Sequence, residues 1–185
     1  YQWLSLPLPL PIPLPLKNMG CISSQLDVGF DWWKLLGRQK WKSIEQLVQL
    51  QPDTCLQQKP GTNDLLLHCL CSDLAAPLSL ILMVIAAHKD VAMMKNSAGK
   101  LPLHISCSRP GRSSVTTELV RTLVETAPQA CKVGLGIIEE DGTSVGELPL
   151  HVLLSNGGSG IDIDMCGGLL LESYPDAAKE KRNGS

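Results

Sequence analysis

The stretch GKLPLHIS, residues 99–106, sets a histidine directly after Leu-Pro-Leu and just beyond a glycine. A histidine so placed is either a chemical group, as base or metal ligand, or a piece of scaffold. The rest of the chain decides between the two, because the stretch recurs. GELPLHVL at 146–153 is a close copy, and NDLLLHCL at 63–70 a weaker one. The three histidines, His68, His104 and His151, stand 36 and 47 residues apart. One histidine could be catalytic. Three at equivalent places in an internal repeat read as architecture.

The segments between the copies also match. IEQLVQLQPDTC (44–55), LILMVIAAHKDVA (80–92), LVRTLVETAPQAC (119–131) and GLLLESYPDAA (168–178) share one form. Each is an apolar-periodic helix, then a stop, then a small residue. The stop is Pro52, Lys89, Pro128 or Pro175, and the small residue is Cys55, Ala92, Cys131 or Ala178. The stops are 37, 39 and 47 residues apart, which tracks the histidines. The unit is therefore a helix, a turn, a loop with glycine, then LPLH and a second short helix. Pro102 and Pro149 suit the first turn of a helix, where a missing N–H costs nothing and φ is already set. The leucines beside them are expected to face the core. The histidine, one residue into the helix, has two ring nitrogens with which to tie its own turn to a neighbour.

LPLH resembles the Thr-Pro-Leu-His signature of ankyrin repeats, and the whole unit looks like longer ankyrin-like repeats of the form G-x-LPLH, helix, YP-x-A-A. SYPDAA (173–178) and APQAC (127–131) stand for that ending. The resemblance covers residues 31–185. It departs from the pattern at Leu101 and Leu148, which replace the threonine, and in a period longer than the usual ~33 residues. Where ankyrin repeats carry a small alanine, this chain has Leu70, Ser106 and Leu153. The resemblance implies an all-α, ankyrin-like helical-repeat solenoid of four helix pairs. These are FDWWKLLGRQ with WKSIEQLVQLQ, LLLHCLCSDL with the 77–88 helix, LPLHISCS with 115–127, and LPLHVLLS with 163–174. It also implies a non-catalytic scaffold for another protein. Gly184 falls where Gly99 and Gly146 sit, so the array is expected to break off inside a repeat, which would leave an apolar end face.

Composition agrees with that class. The 185 residues are 44% hydrophobic, enough for a buried core. Net charge is −2, which gives no global pull towards nucleic acid. The seven cysteines form no regular framework and read as reduced cytosolic thiols. The longest apolar run, Leu78–Ala87, is too short to cross a bilayer and reads as a buried helix.

Residues 1–30 read as a proline-rich, disordered segment. In LSLPLPLPIPLPL (4–16) proline alternates with leucine, which forbids a helix and a signal-peptide core. Met19 opens MGCISS, which fits the acylation pattern with Gly20 as acceptor and Cys21 as a second lipid site. On that reading residues 1–18 lie outside the mature protein, and two acyl chains would hold it at the cytosolic face of a membrane. Otherwise the chain is expected to be cytoplasmic. WWKLLGRQKWK (32–42) suits a lipid interface, but reads better as a helix pair capping the core.

Sites of chemistry are sparse. His68, Cys69 and Cys71 could in principle ligate zinc, but the two cysteines face different ways on a helix, and no CxxC pair accompanies them. No GxSxG elbow appears, and GTSVGE (142–147) and GGSGID (157–162) lack the lysine of a phosphate loop. The expectation is no enzyme, no cofactor, no metal, no nucleic acid and no small-molecule substrate. The alternative is a regulatory or targeting region of a larger enzyme cut at Ser185. The loop 132–147 is about eight residues longer than its equivalents, and its acidic tip, Glu139, Glu140 and Asp141, is the first candidate for partner binding.

Overall fold

Proline and the LPLH motif decide where helices start and stop in this chain. A computed structural model describes residues 31–109, 114–135, 146–155 and 163–179. Among these the chain is all-α, with no strand. The helices are α1 (Trp32–Leu36), α2 (Trp41–Leu50), α3 (Leu66–Ser72), α4 (Leu78–Ala87), α5 (Pro102–Cys107), α6 (Ser114–Thr126), α7 (Pro149–Ser155) and α8 (Ile163–Ser173). Their bounds fall close to the segments expected from periodicity. Gly20, Cys21, Glu139, Glu140, Asp141 and Gly184 lie outside the described residues, as does the whole of 1–30.

Pro102 and Pro149 are the first helical residues of α5 and α7, where their locked φ nucleates the turn. At the other end, Pro52, Pro128 and Pro175 cannot continue α2, α6 and α8, because the ring clashes with the preceding turn. Each instead opens a short 3-10 turn: Pro52–Leu56, Pro128–Lys132 and Pro175–Ala178. Lys89 opens the equivalent turn, Lys89–Met93, so the turn does not depend on proline there. The third residue of every such turn is buried: Thr54, Val91, Ala130 and Ala177.

The core follows helical spacing. Ile44, Leu47 and Val48 of α2 are buried, as are Ile81, Val84 and Ile85 of α4, and Val120, Leu123 and Val124 of α6. These triplets occupy the same places, eight, five and four residues before each stop, the one-face pattern of an amphipathic helix. Burying each such side chain contributes about 1.5–3 kcal/mol. α4 is apolar nearly all round but is not wholly buried, since Leu82 is 38% exposed. Trp32 is fully buried and meets Trp33 edge to face, centroids 5.4 Å apart.

Contacts between elements run in two series. α1 packs on α2, α3 on α4, α5 on α6 and α7 on α8. The second members touch in order, α2 to α4 to α6 to α8, and the first members likewise from α3 to α5 to α7. All belong to one unit, Trp32–Ser185. No helix among the described residues is long and apolar enough to cross a membrane.

Candidate functional site

The motif histidines sit at the third helical position, further in than expected, with Leu66, Pro102 and Pro149 at the first. From there the ring folds back over the helix start. The Leu65 N–H donates to His68 Nδ1 at 3.1 Å, the Leu101 N–H to His104 Nδ1 at 3.2 Å, and the Leu148 N–H to His151 Nδ1 at 3.3 Å. A backbone donor just ahead of a helix has no intrahelical acceptor, so each ring answers an otherwise orphaned N–H. Nδ1 must then be unprotonated, which leaves the proton on Nε2.

Nε2 points to the loop of the next pair. That of His68 lies 3.1 Å from the Lys100 carbonyl, 32 residues on. For His104 the matching backbone is that of Glu147, which favours the charged ring from outside hydrogen-bond geometry. Its Nε2 has no hydrogen-bond partner among the described residues. A second backbone group also faces each ring, Met94 for His68 and Val133 for His104, and both are the residue just after a 3-10 turn. Burial dominates both rings, which are 1% exposed. It holds His68 below its ordinary range and His104 down to about 4, against the smaller opposite pull of the carbonyls.

The loops are closed alike. Lys59 N–H donates to the Asp64 carbonyl at 2.7 Å, Asn96 to Lys100 at 3.0 Å and Leu135 to Glu147 at 2.9 Å. Each acceptor directly precedes the leucine that opens the motif. The bond spans five residues in the first loop, four in the second and twelve in the third. The third loop is therefore closed at its base by the same bond as the shorter ones. A Cβ on Gly146 would fall on the Leu135 carbonyl, so only glycine allows that base to close. The acidic residues 139–141 belong to the segment this base closes.

Neighbouring loops are also tied to one another. Ser97 donates to the Thr62 carbonyl from its N–H at 3.0 Å and from its hydroxyl at 2.6 Å. Asn96 Nδ2 donates to Asp64 Oδ1 at 2.8 Å, while Asn96 Oδ1 accepts from the N–H groups of Ala98 and Lys100. Reading the sequence alone missed these residues. The signal was present in Asn96-Ser-Ala-Gly99, an Asx turn closing on a glycine at φ +70°.

Arg109, also missed, is 4% exposed. Its Nη2 donates to the Asp73 carbonyl at the end of α3, 2.9 Å away, while Nε and Nη1 have no partner among the described residues. A cation at a helix C-terminus is favoured by the helix dipole. His88 Nε2 lies 3.3 Å from Asp53 Oδ1, at ion-pair distance but outside hydrogen-bond geometry.

Five thiols among the described residues are poor nucleophiles. Burial pushes Cys55 and Cys69 up to about 11 and Cys71 up to about 12, and raises Cys107 and Cys131 as well. All stay protonated at neutral pH. Cys71 is fully buried and Cys69 only partly, so the two face different surroundings. Among the described residues no group of three His, Cys, Asp or Glu side chains is arranged to hold a metal ion. Comparison with protein-family models, curated proteins and solved structures finds no match for this chain.

Proposed function

We propose that this chain is a non-catalytic protein–protein interaction module, built as an array of ankyrin-like helix pairs. The observation that carries it is the recurrence of one bonding set. A motif histidine caps its own helix start at three places, and the same loop-closing bond precedes each of them. A site built for chemistry places unlike groups together once. Like groups repeated along a chain make a frame that holds loops at fixed spacing. The motif histidine Nδ1 atoms are occupied by backbone donors and the thiols of Cys55, Cys69, Cys71, Cys107 and Cys131 are protonated, which supports the non-catalytic reading.

Binding is assigned to the loop between Leu135 and Gly146. A closed base limits the entropy its residues lose on meeting a partner, which favours binding. Its acidic residues, Glu139, Glu140 and Asp141, suit a partner with a basic surface. An acylated Gly20 and Cys21 would place the same module at a membrane surface.

The test is a loop exchange. Residues 136–146 are replaced by the short Ser97–Gly99 link of the second loop, and partner capture by the two proteins is compared. Equal melting temperature with loss of captured partners is expected. A partner set retained in full by the exchanged protein would move binding away from this loop.

A further inference from the structure

We propose that the end face formed by α7, α8 and the Pro175–Ala178 turn seats one further helix pair of the same pattern, following along the chain. This rests on the array reading above. The face is recognised by three positions whose equivalents in the earlier pairs are covered.

The first position is on the motif helix, three residues after the histidine. Cys71 and Cys107 there are fully buried, whereas Leu154 is 54% exposed. The second lies four residues before the stop. Val48, Ile85 and Val124 are 2%, 4% and 5% exposed, whereas Leu171 is 37% exposed. The third is the last small residue of the 3-10 motif. Cys55, Ala92 and Cys131 are buried, whereas Ala178 is exposed.

Residues of the same helices that face their own partner are covered as usual. Leu150, Leu153, Cys166, Leu170 and Ala177 are all buried. Leu154, Leu171 and Ala178 lie on the side that earlier pairs turn to their successor, whereas Met165, 48% exposed, stands where Lys42 and Glu118 are exposed in earlier helices, and the face continues an interface already made between α3–α4 and α5–α6. A surface shaped by that interface fits a first helix of LPLH type. Leucine at 154, in place of the smaller cysteines, makes the contact more apolar than the internal ones.

Two proteins are compared by thermal melting and sedimentation: residues 1–185, and the same chain continued after Ser185 by a copy of residues 101–135. Gly184 and Ser185 then lead into the motif as Gly99 and Lys100 do. The continued chain is expected to melt higher. Leu171→Glu should lower its midpoint by about 6 °C or more, and that of the shorter chain by less than ~2 °C. Val124→Glu, on the internal equivalent, should lower both. An equal effect of Leu171→Glu on the two chains, or no rise on continuation, overturns the proposal. So does a shorter chain that dimerises and is made monomeric by Leu171→Glu, since a second copy then occupies the face. If Val124→Glu is silent in both, the array reading itself falls.

Discussion

Acid should loosen this protein through His104, by an amount that can be worked out from its surroundings. Its ring is buried, its Nδ1 accepts the Leu101 N–H, and its pKa is held down to about 4. In the unfolded chain the same side chain titrates near its ordinary value of ~6.5. Between these values the unfolded state binds the extra proton and the folded state does not, so folding is weakened as the pH falls. The stabilising contribution is complete above about pH 6.5 and is lost progressively down to about 4. At ~1.4 kcal/mol for each pKa unit the full loss is about 3 kcal/mol. There is also a local reason. Protonated Nδ1 becomes a donor facing another donor, so the bond at the start of α5 breaks. His68 is shifted in the same direction and adds to the loss.

The comparison is His104→Gln, because glutamine at the third helical position can still accept from the N–H ahead of the helix but does not titrate. Urea unfolding is followed from pH 7.5 to 4 for both proteins. The carboxylates titrate in both, so their contribution cancels in the difference. Wild type should lose about 3 kcal/mol more than the variant over this range. Parallel curves, or a wild type that gains on the variant as the pH falls, would refute the reasoning.

Three further outcomes can be checked. Gly146→Ala should cost about 1–3 kcal/mol in a denaturant melt, because its methyl group meets the Leu135 carbonyl and the loop base must open; a neutral substitution would show that the base is not closed in solution. Arg109→Met should leave stability within about 1 kcal/mol or raise it, since two of the three guanidinium nitrogens lack acceptors among the described residues in a buried place; a loss above ~2 kcal/mol would make its hold on the Asp73 carbonyl the stronger effect. Cys55, Cys71, Cys107, Cys131 and Cys166 should react with a thiol reagent only after unfolding, and immediate reaction in the native state would contradict their burial.

Much of the helical framework was legible in the residues. Apolar side chains eight, five and four places before each stop define one face of α2, α4 and α6, and that face is buried. At Pro52, Pro102, Pro128, Pro149 and Pro175 the helix bounds followed from proline chemistry, which acts within a single turn. Two details of the sequence reading needed correction. The histidine takes the third helical position, after Leu66, Pro102 or Pro149 at the first. α4 leaves Leu82 exposed although its sequence is apolar nearly all round, because α2, α3 and α6 cover its other sides. Leu70, Ser106 and Leu153 stand where a small alanine was the expected pattern, and all three are buried. Ser106 satisfies its hydroxyl on the Pro102 carbonyl at 3.0 Å.

The sequence by itself determined what is local: where each helix begins, where it stops, which face is apolar, and that a histidine would stand just inside the motif helix. Those features rest on bonds and clashes between residues three or four apart, so short patterns encode them. Only the tertiary structure decided what meets across the pairs. It brought the Lys100 carbonyl to His68, the Asp73 carbonyl to Arg109, and Glu147 to Leu135 across the long third loop. These partners lie 12 to 36 residues apart and meet through backbone carbonyls, which every residue carries. No residue type marks such a partner in advance, so packing alone selects it.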